Sequence, residues 1–374
     1  MKHQKYREKL IFLMVAGAIG IIFLVIGSYQ TIEFMDSPVF CGRLCHQVMY
    51  PEYTTHQTSP HSSVTCAECH VGRGADYMVR SKLSGLPLVF VTILGTYDRP
   101  IPTPVKNLRP ARDICEECHR PGKFSGDVVR VHTTYLSDEQ NTKKVDTRIL
   151  RVGGGELGIA HDIHRHIDGR LWYLPMDEKR QEIGWIGIEN AKGELAAEYI
   201  DRDKSAELIH TEDQRIENDK RLLDCMDCHT RVTHIFRSPE ELIDEAFIQG
   251  KMDASLPFIK REGIKALDPA NPSLAQAVAR VEAIREFYAA SYPDIYVSHG
   301  RLIEAAIEEL KEIARLTTFP DMKVDWNTYI DNIGHQKSPG CFRCHGKLVA
   351  ITGDTKGQVL SASCEKCHYS AASN

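Results

Sequence analysis

The sequence predicts a mostly α-helical fold with little regular structure, one membrane-spanning helix at the N-terminus, a small β-rich insert and a C-terminal helical segment. Three observations in the 374 residues lead to this prediction: an apolar run near the N-terminus, paired cysteines along the rest of the chain, and a cysteine-free stretch of short alternating segments. Lys and Arg number 46 against 51 Asp and Glu, so the basic surplus typical of nucleic-acid binding is missing. The 42% apolar content excludes a disordered chain.

The apolar run covers residues 10–27, and no charged residue follows it before Glu33. A run of this length can cross a bilayer core as a helix. Four basic residues among the first nine positions predict a cytoplasmic N-terminus, with the rest of the chain exported. A cleaved signal peptide is the alternative, but its apolar region would be shorter, and no Ala-x-Ala-like cleavage site follows. We therefore predict a single-pass anchor that is not cleaved.

All twelve cysteines fall into six pairs, and a histidine directly follows every pair. Five pairs have the spacing C-x-x-C-H, whereas the first pair is one residue longer. The motif residues are Cys41, Cys45 and His46; Cys66, Cys69 and His70; Cys115, Cys118 and His119; Cys225, Cys228 and His229; Cys341, Cys344 and His345; Cys364, Cys367 and His368.

The spacing C-x-x-C-H is the attachment motif of c-type haem. Two thiols separated by a short loop reach the two vinyl groups on one porphyrin edge, and the adjacent histidine binds the iron. Zinc ribbons also use C-x-x-C, but they do not need a histidine after every pair. We predict six haem c groups around which the chain packs, five from strict motifs and one from the longer motif. Attachment of haem c outside the cytoplasm agrees with a bacterial cytoplasmic-membrane protein whose haem domain lies in the periplasm.

The motifs divide the chain into six segments. They are residues 1–34 (N-terminus and anchor), 35–119 (three haem motifs and a quinol-site region, discussed below), 120–224 (β-rich insert), 225–237 (fourth motif), 238–320 (helical segment) and 321–374 (last two motifs). Period-two alternation between Gly and Asp turns predicts strands in the insert over residues 128–136, 147–154, 169–175 and 182–188. Helical spacing predicts helices over residues 204–223, 239–249, 273–292 and 301–317.

Six haem irons need six further ligands, and eleven histidines lie outside the motifs. A lone histidine is usually a satisfied surface or core residue, but a surplus of this size indicates irons with two histidine ligands. The candidates are His61, His132, His164 or His166, His234 and His335. His210 and His299 are interpreted as structural. Met49 follows the first motif closely and is either a ligand that raises the potential of the first haem or a packing residue.

With these motifs the chain resembles the NapC/NirT family of membrane-anchored multihaem cytochromes c, which oxidise quinol. The resemblance covers residues 1–119 and 221–237 and rests on FCGRLCHQVMYPEY, SPH, CAECHVGRG, GTYDRP, DICEECH and CMDCHTRVTH. It implies that Met49, His61 and His234 are haem ligands, and that Lys82 and Asp98 line a quinol site.

Three features depart from the family pattern, whose first motif is C-x-x-C-H-x-M and whose core has four haems. They are the longer first motif, the insert of about a hundred residues and the last two motifs. The insert looks like that of larger members, in which an H-x-H pair, here His164 and His166, supplies ligands.

Residues 86–95 are apolar and lie between Lys82 and Asp98, which is typical of a segment in the membrane interface. A buried helix or strand explains the pattern equally well. In the interfacial interpretation, Lys82 donates a hydrogen bond to quinol and Asp98, if partly buried, accepts its proton.

The predicted function is a quinol dehydrogenase that takes electrons from a membrane quinol, menaquinol in our interpretation, and delivers them to a periplasmic cytochrome or terminal reductase. Two alternatives remain: an electron-transfer subunit of a larger respiratory complex without its own quinol site, and a multihaem terminal reductase with one open iron. The sequence leaves open whether the chain is a homo-oligomer or a complex subunit.

Overall fold

The structure is a computed structural model and describes residues 2–44, 48–72, 74–104, 110–119, 126–153, 162–204, 212–268 and 273–370. The chain separates into two compact units, Met1–Thr96 and Tyr97–Asn374. Helix accounts for 48% and strand for 14% of the described residues. The N-terminal apolar helix is confirmed. The described residues combine helix with small sheets, and the predicted β-rich insert and C-terminal helical segment are both present.

The first unit is helical in the part that the structure describes. Its elements are α1 (Lys2–Met35), a π-helical turn (Phe40–Leu44), α2 (Tyr50–Gln57), α3 (Cys66–His70) and α4 (Ala75–Ile93). Within α1, Tyr6–Met35 is apolar and long enough to cross a membrane, and its most apolar window is fully exposed. A helix that is apolar all round and exposed in this way suits a lipid environment.

The strands of the second unit form two antiparallel sheets. The strands are β1 (Val128–Tyr135), β2 (Lys143–Leu150), β3 (Arg170–Pro175), β4 (Ile183–Glu189), β5 (Leu195–Asp201), β6 (Arg221–Leu222), β7 (Leu348–Ala350) and β8 (His368–Ser370). One sheet has the order β1-β2-β8, and the other has the order β6-β3-β4-β5-β7. The four predicted strands overlap β1 to β4, but the strand predicted over residues 147–154 shares only residues 147–150 with β2, and β5 was not predicted. Because β7 and β8 belong to the last two motifs, the insert and the C-terminal motifs share both sheets.

The helices of the second unit are short outside its C-terminal half. They are α5 (Ala111–Cys115), α6 (Arg165–Asp168), α7 (Glu212–Asp219), α8 (Cys225–Cys228), α9 (Pro239–Ile248), α10 (Ile259–Ala266), α11 (Leu274–Glu282), α12 (Ile284–Ser291), α13 (Pro293–Ser298) and α14 (Gly300–Thr317). The polar helix predicted over residues 204–223 is represented by α7. The helix predicted over residues 273–292 is interrupted at Ala283 between α11 and α12, and α10 was not predicted.

The largest hydrophobic core of the second unit joins α9, α10, α11, α12 and α14. Helix α14 buries Ile303, Ile307 and Leu310 on one face, at the spacing that an amphipathic helix requires. Helix α9 starts with a capping box in which the Ser238 hydroxyl accepts from the Glu241 N–H and the Glu241 carboxylate accepts from the Ser238 N–H. These helices therefore form from local sequence signals and are held by apolar packing.

The described cores beside the motifs are much smaller. One contains Tyr173, Ile183, Ile186 and Leu348, and the other contains Leu174, Trp185 and Ile200. Burial of so few apolar side chains offsets little of the conformational entropy lost on folding.

Candidate haem-binding motifs

Each described motif begins in a single helical turn. Helices α3, α5 and α8 carry the first cysteines of the second, third and fourth motifs, and 3₁₀ turns at Gly340–Arg343 and Cys364–Lys366 carry those of the last two. One turn of helix places residues i and i+3 on the same face. Helices α3 and α8 contain both cysteines of their motifs, so their two thiols are presented together, with the histidine directly after them. No disulfide joins any of the described cysteines.

The first motif starts in a wider turn than the others. Cys41 lies in the π-helical turn Phe40–Leu44. A π-helix closes hydrogen bonds over one more residue than an α-helix, which suits the extra residue of C-x-x-x-C-H. Cys45 and His46 lie outside the described residues.

The first and second motifs meet at their leading thiols. A hydrogen bond between Cys41 and Cys66 lowers the pKa of Cys66 to about 7 and raises the pKa of Cys41. This bond places Cys41 beside α3. The first unit therefore brings two motifs together.

A cleft of about 360 Å³ lies beside the second motif in the same unit. It is lined by Asp36, Ala67, Glu68, Val71, Gly72, Gly74 and Met78. Asp36 directly follows α1 and forms an ion pair with Lys82 of α4, both side chains being partly exposed. The sequence analysis selected Lys82 but missed Asp36, whose only sequence signal is its place directly after the apolar helix.

The predicted membrane-interface segment forms the second half of α4 and the turn after it. Leu88 and Phe90 are each 65% exposed, and Ile93 is 75% exposed. The segment is a helix with exposed apolar side chains, so the buried alternative is wrong. Asp98 lies at the start of the second unit and is exposed, whereas its predicted role required partial burial.

The third and fourth motifs share one capping carboxylate in the second unit. Asp224 accepts from the Cys225 N–H of its own helix at 2.6 Å and from the Ala111 N–H of α5 at 2.9 Å. The N-terminus of a helix favours a negative charge, and here one carboxylate serves two helices. The Cys115 and Cys225 thiols are also hydrogen-bonded, and this bond lowers the pKa of Cys115.

The fourth and fifth motifs are joined by Arg343. Its buried guanidinium donates to the carbonyl oxygens of Asp227 at 2.6 Å, Arg180 at 2.9 Å and Gly340 at 3.0 Å. The Asp227 carboxylate in turn accepts from the Tyr173 hydroxyl at 2.6 Å. Arg343 and Asp227 are the middle residues of their motifs, so this network fixes two motifs against each other and against β3.

Replacing Arg343 with lysine is expected to destabilise this motif pair by about 3 kcal/mol, because an ammonium group cannot make all three bonds of the planar fork. Urea unfolding of the detergent-solubilised protein, followed by haem absorption, measures the change. The matched control is Arg315→Lys, which affects an exposed pair with Glu312 and should change stability by less than about 0.5 kcal/mol. Equal behaviour of the two variants would contradict a clamping role for Arg343.

Two pairs of histidine rings lie close together in the second unit, with angles of 80° between the planes of His166 and His345 and 27° between those of His335 and His368. The ring centroids of His166 and His345 are 5.9 Å apart, and those of His335 and His368 are 6.1 Å apart. A metal bonded to one nitrogen of each ring at about 2 Å fits between rings at such a separation. Together with the paired thiols, these histidines fit haem c, with cysteines for the covalent bonds and imidazoles for the iron.

The remaining predicted ligands occupy different environments. His61 lies in the turn after α2, and Met49 is the partly exposed residue before α2. His132 is exposed on β1 opposite Asp146, and His234 follows α8 in a half-buried loop. Burial lowers the pKa of His164, and the nearby His229 lowers it further. His161 and His210 lie outside the described residues.

Comparison with known proteins agrees with this donor set. The model of the N-terminal region of the NapC/NirT cytochrome c family matches residues 3–103. The cytochrome c-type protein ImcH of Geobacter sulfurreducens is 40% identical over 365 residues, which cover 97% of this chain and 70% of that protein. The chain belongs to the NapC/NirT cytochrome c family. No solved structure matches it.

Membership of this family confirms the resemblance that the motifs indicated. The protein is a membrane-anchored cytochrome of electron transport, and its cofactor is haem c. The apolar helix α1 is the membrane anchor. The relative covers nearly the whole chain, so the insert and the C-terminal motifs are part of the related region as well.

Proposed function

We propose that this cytochrome oxidises a membrane quinol, menaquinol in the first instance, and passes the electrons through six haems to a periplasmic cytochrome or terminal reductase. The observation that carries the proposal is the cleft in the first unit, where Asp36 and Lys82 form an ion pair beside the second haem motif. It lies directly after the membrane helix and on the same unit as the exposed apolar half of α4.

A quinol site needs an apolar approach, a hydrogen-bond donor and a proton acceptor. The exposed apolar side chains of α4 provide a surface that a quinol tail can follow from the lipid. The Lys82 ammonium is a donor for a quinol oxygen, and the Asp36 carboxylate is an acceptor for its proton. Val71 and Met78 provide apolar lining in the same cleft.

Oxidation of one quinol releases two electrons and two protons. Haem c would supply a one-electron acceptor, and Cys66, Cys69 and His70 are the residues that would hold it. Lys82 orients the quinol oxygen, and Asp36 takes the two protons one after the other. Because Asp36 is partly exposed, it passes each proton to water on the exported side before it accepts the next.

The arrangement of motifs in the second unit supports a relay. The third motif contacts the fourth at Cys115 and Cys225, and Arg343 joins the fourth motif to the fifth. The ring of His335, just before the fifth motif, lies 4.8 Å from that of Phe342 and 6.1 Å from that of His368 in the sixth. The order third, fourth, fifth, sixth is therefore a path of neighbouring motifs that ends at the C-terminus.

The test is direct reduction by quinol. The protein is purified in detergent without oxygen and mixed with a reduced menaquinol analogue while the haem absorption bands are followed. Rapid reduction is expected. Lys82→Ala should slow it at least tenfold through loss of a charged hydrogen bond, and Asp36→Asn about a hundredfold through loss of the proton acceptor.

Two controls sharpen the result. Lys251→Ala removes an ammonium from an exposed pair with Glu309 in the helical segment and should leave the rate unchanged. Asp98→Asn tests the acceptor that the sequence alone indicated: slowing by this variant and not by Asp36→Asn would return the role to Asp98. Failure of quinol to reduce a protein that dithionite reduces fully would instead favour a relay subunit or a terminal reductase.

A further inference from the structure

The described residues leave one question that motif spacing cannot answer, namely which histidine completes the coordination of which haem. We propose that His166 and His345 are the two axial ligands of the haem attached to Cys341 and Cys344, and that His335 and His368 are those of the haem attached to Cys364 and Cys367. This assignment rests on the proposed binding of haem at all six motifs and adds the ligand pairs to it.

The orientation of the first pair supports the assignment. Nδ1 of His345 lies 2.6 Å from the Ser361 carbonyl oxygen, and Nδ1 of His166 lies 2.6 Å from the Ile163 carbonyl oxygen. A carbonyl oxygen can only accept, so each Nδ1 carries the proton and each Nε2 is left with its lone pair. Histidines that bind metals characteristically donate their second ring nitrogen to a carbonyl in this way.

The second pair is placed by the fifth motif and by the insert. The His335 ring packs on Phe342, the second residue of the fifth motif, and lies nearly parallel to the His368 ring, at an angle of 27°. His368 is the first residue of β8 and pairs with Leu150 of β2. Next to it, the Arg151 N–H donates to the Cys367 carbonyl oxygen at 2.8 Å.

These contacts assign the insert a role in haem ligation. It supplies His166 to the fifth motif, and its strands β2 and β5 hold β8 and β7, which carry or directly follow the histidines of the sixth and fifth motifs. The insert is therefore part of the haem environment. Because both irons would have two protein ligands, neither is open to a substrate, and the fifth and sixth haems act as electron carriers.

The test uses the holoprotein in detergent and does not involve quinol. His166→Met and His335→Met are each expected to remove the contribution of one haem from the low-spin bis-histidine intensity in the electron paramagnetic resonance spectrum of the oxidised protein. A redox titration of each variant should show one haem moving to higher potential, because a thioether ligand stabilises the reduced iron. The double variant should show two such haems.

His299→Ala is the control, because this exposed histidine bonds to Ser298 between α13 and α14 and should leave spectrum and titration unchanged. His166→Gly separates ligation from folding: added imidazole should restore the low-spin signal only if the lost ring was bound to iron. Fully loaded Met variants with unchanged spectra and titrations would overturn the assignment and leave the ring pairs as packing contacts. Since none of these readouts depends on quinol, failure of the quinol site would not be confused with failure of the ligand pairs.

Discussion

Replacing Lys260 with alanine is expected to destabilise the helical segment by about 3–5 kcal/mol. Lys260 is fully buried on α10, and its Nζ lies 2.7 Å from Asp244 Oδ1 and 3.2 Å from Glu240 Oε1. Burial already raises the pKa of Asp244 in spite of this partner. Without the ammonium, the Asp244 carboxylate remains buried beside the Tyr135 N–H, with its charge uncompensated.

Hydrogen exchange of the amides of α9, α10 and α14 in the holoprotein measures the effect locally. Exchange through opening of the segment should accelerate by about 100- to 1,000-fold, as expected for a loss of this size at 1.4 kcal/mol per factor of ten. Lys265→Ala on the same helix is the control, because Lys265 is exposed and its partner Glu262 keeps a second ion pair with Arg261. Acceleration below tenfold for Lys260→Ala would show that the pair contributes little more than a surface contact.

Much of the secondary structure could be predicted from local pattern. Strands β1 to β4 and helices α9 and α14 follow from alternation, helical spacing and caps such as Ser238 with Glu241. Helix α10 was missed because its apolar positions are few, and its most buried long side chain is the lysine at position 260. Strands β7 and β8 have three residues each and form by pairing with β5 and β2. No local sequence pattern predicts this long-range pairing.

The features of the candidate site also differ in whether they depend on local sequence or on long-range contacts. The spacing of Cys, Cys and His within each motif is local, so all six motifs could be identified from the sequence. Neighbouring motifs, by contrast, are brought together by single long-range contacts such as Asp224 with Ala111 and Arg343 with Asp227. Asp36 was missed for the same reason, because its partner Lys82 lies on a different helix.

The second unit therefore combines two kinds of stability. The helical segment has its own apolar core. The buried Lys260 ammonium also donates a hydrogen bond to the Tyr135 carbonyl oxygen and so connects this segment to β1. The motif region has small cores, capped single turns and buried polar contacts such as those of Arg343. We expect covalent haem to add stability here, since a porphyrin supplies apolar surface against which these small cores can pack.

Preventing haem attachment is accordingly expected to unfold the motif region and leave the helical segment folded. A chain lacking residues 1–35, produced in the cytoplasm where haem is not attached, should keep slow hydrogen exchange at core positions such as Ile243, Ile307 and Leu310. Exchange should become fast around α5, α8 and β8. The reason is that the nineteen buried residues of the main core include no motif cysteine or histidine, so that core loses none of its apolar packing when haem is absent. The exported, haem-loaded protein is the reference and should protect both regions. Equal loss of protection in α9 and α14 would mean that the helical core depends on haem and does not fold independently of the relay.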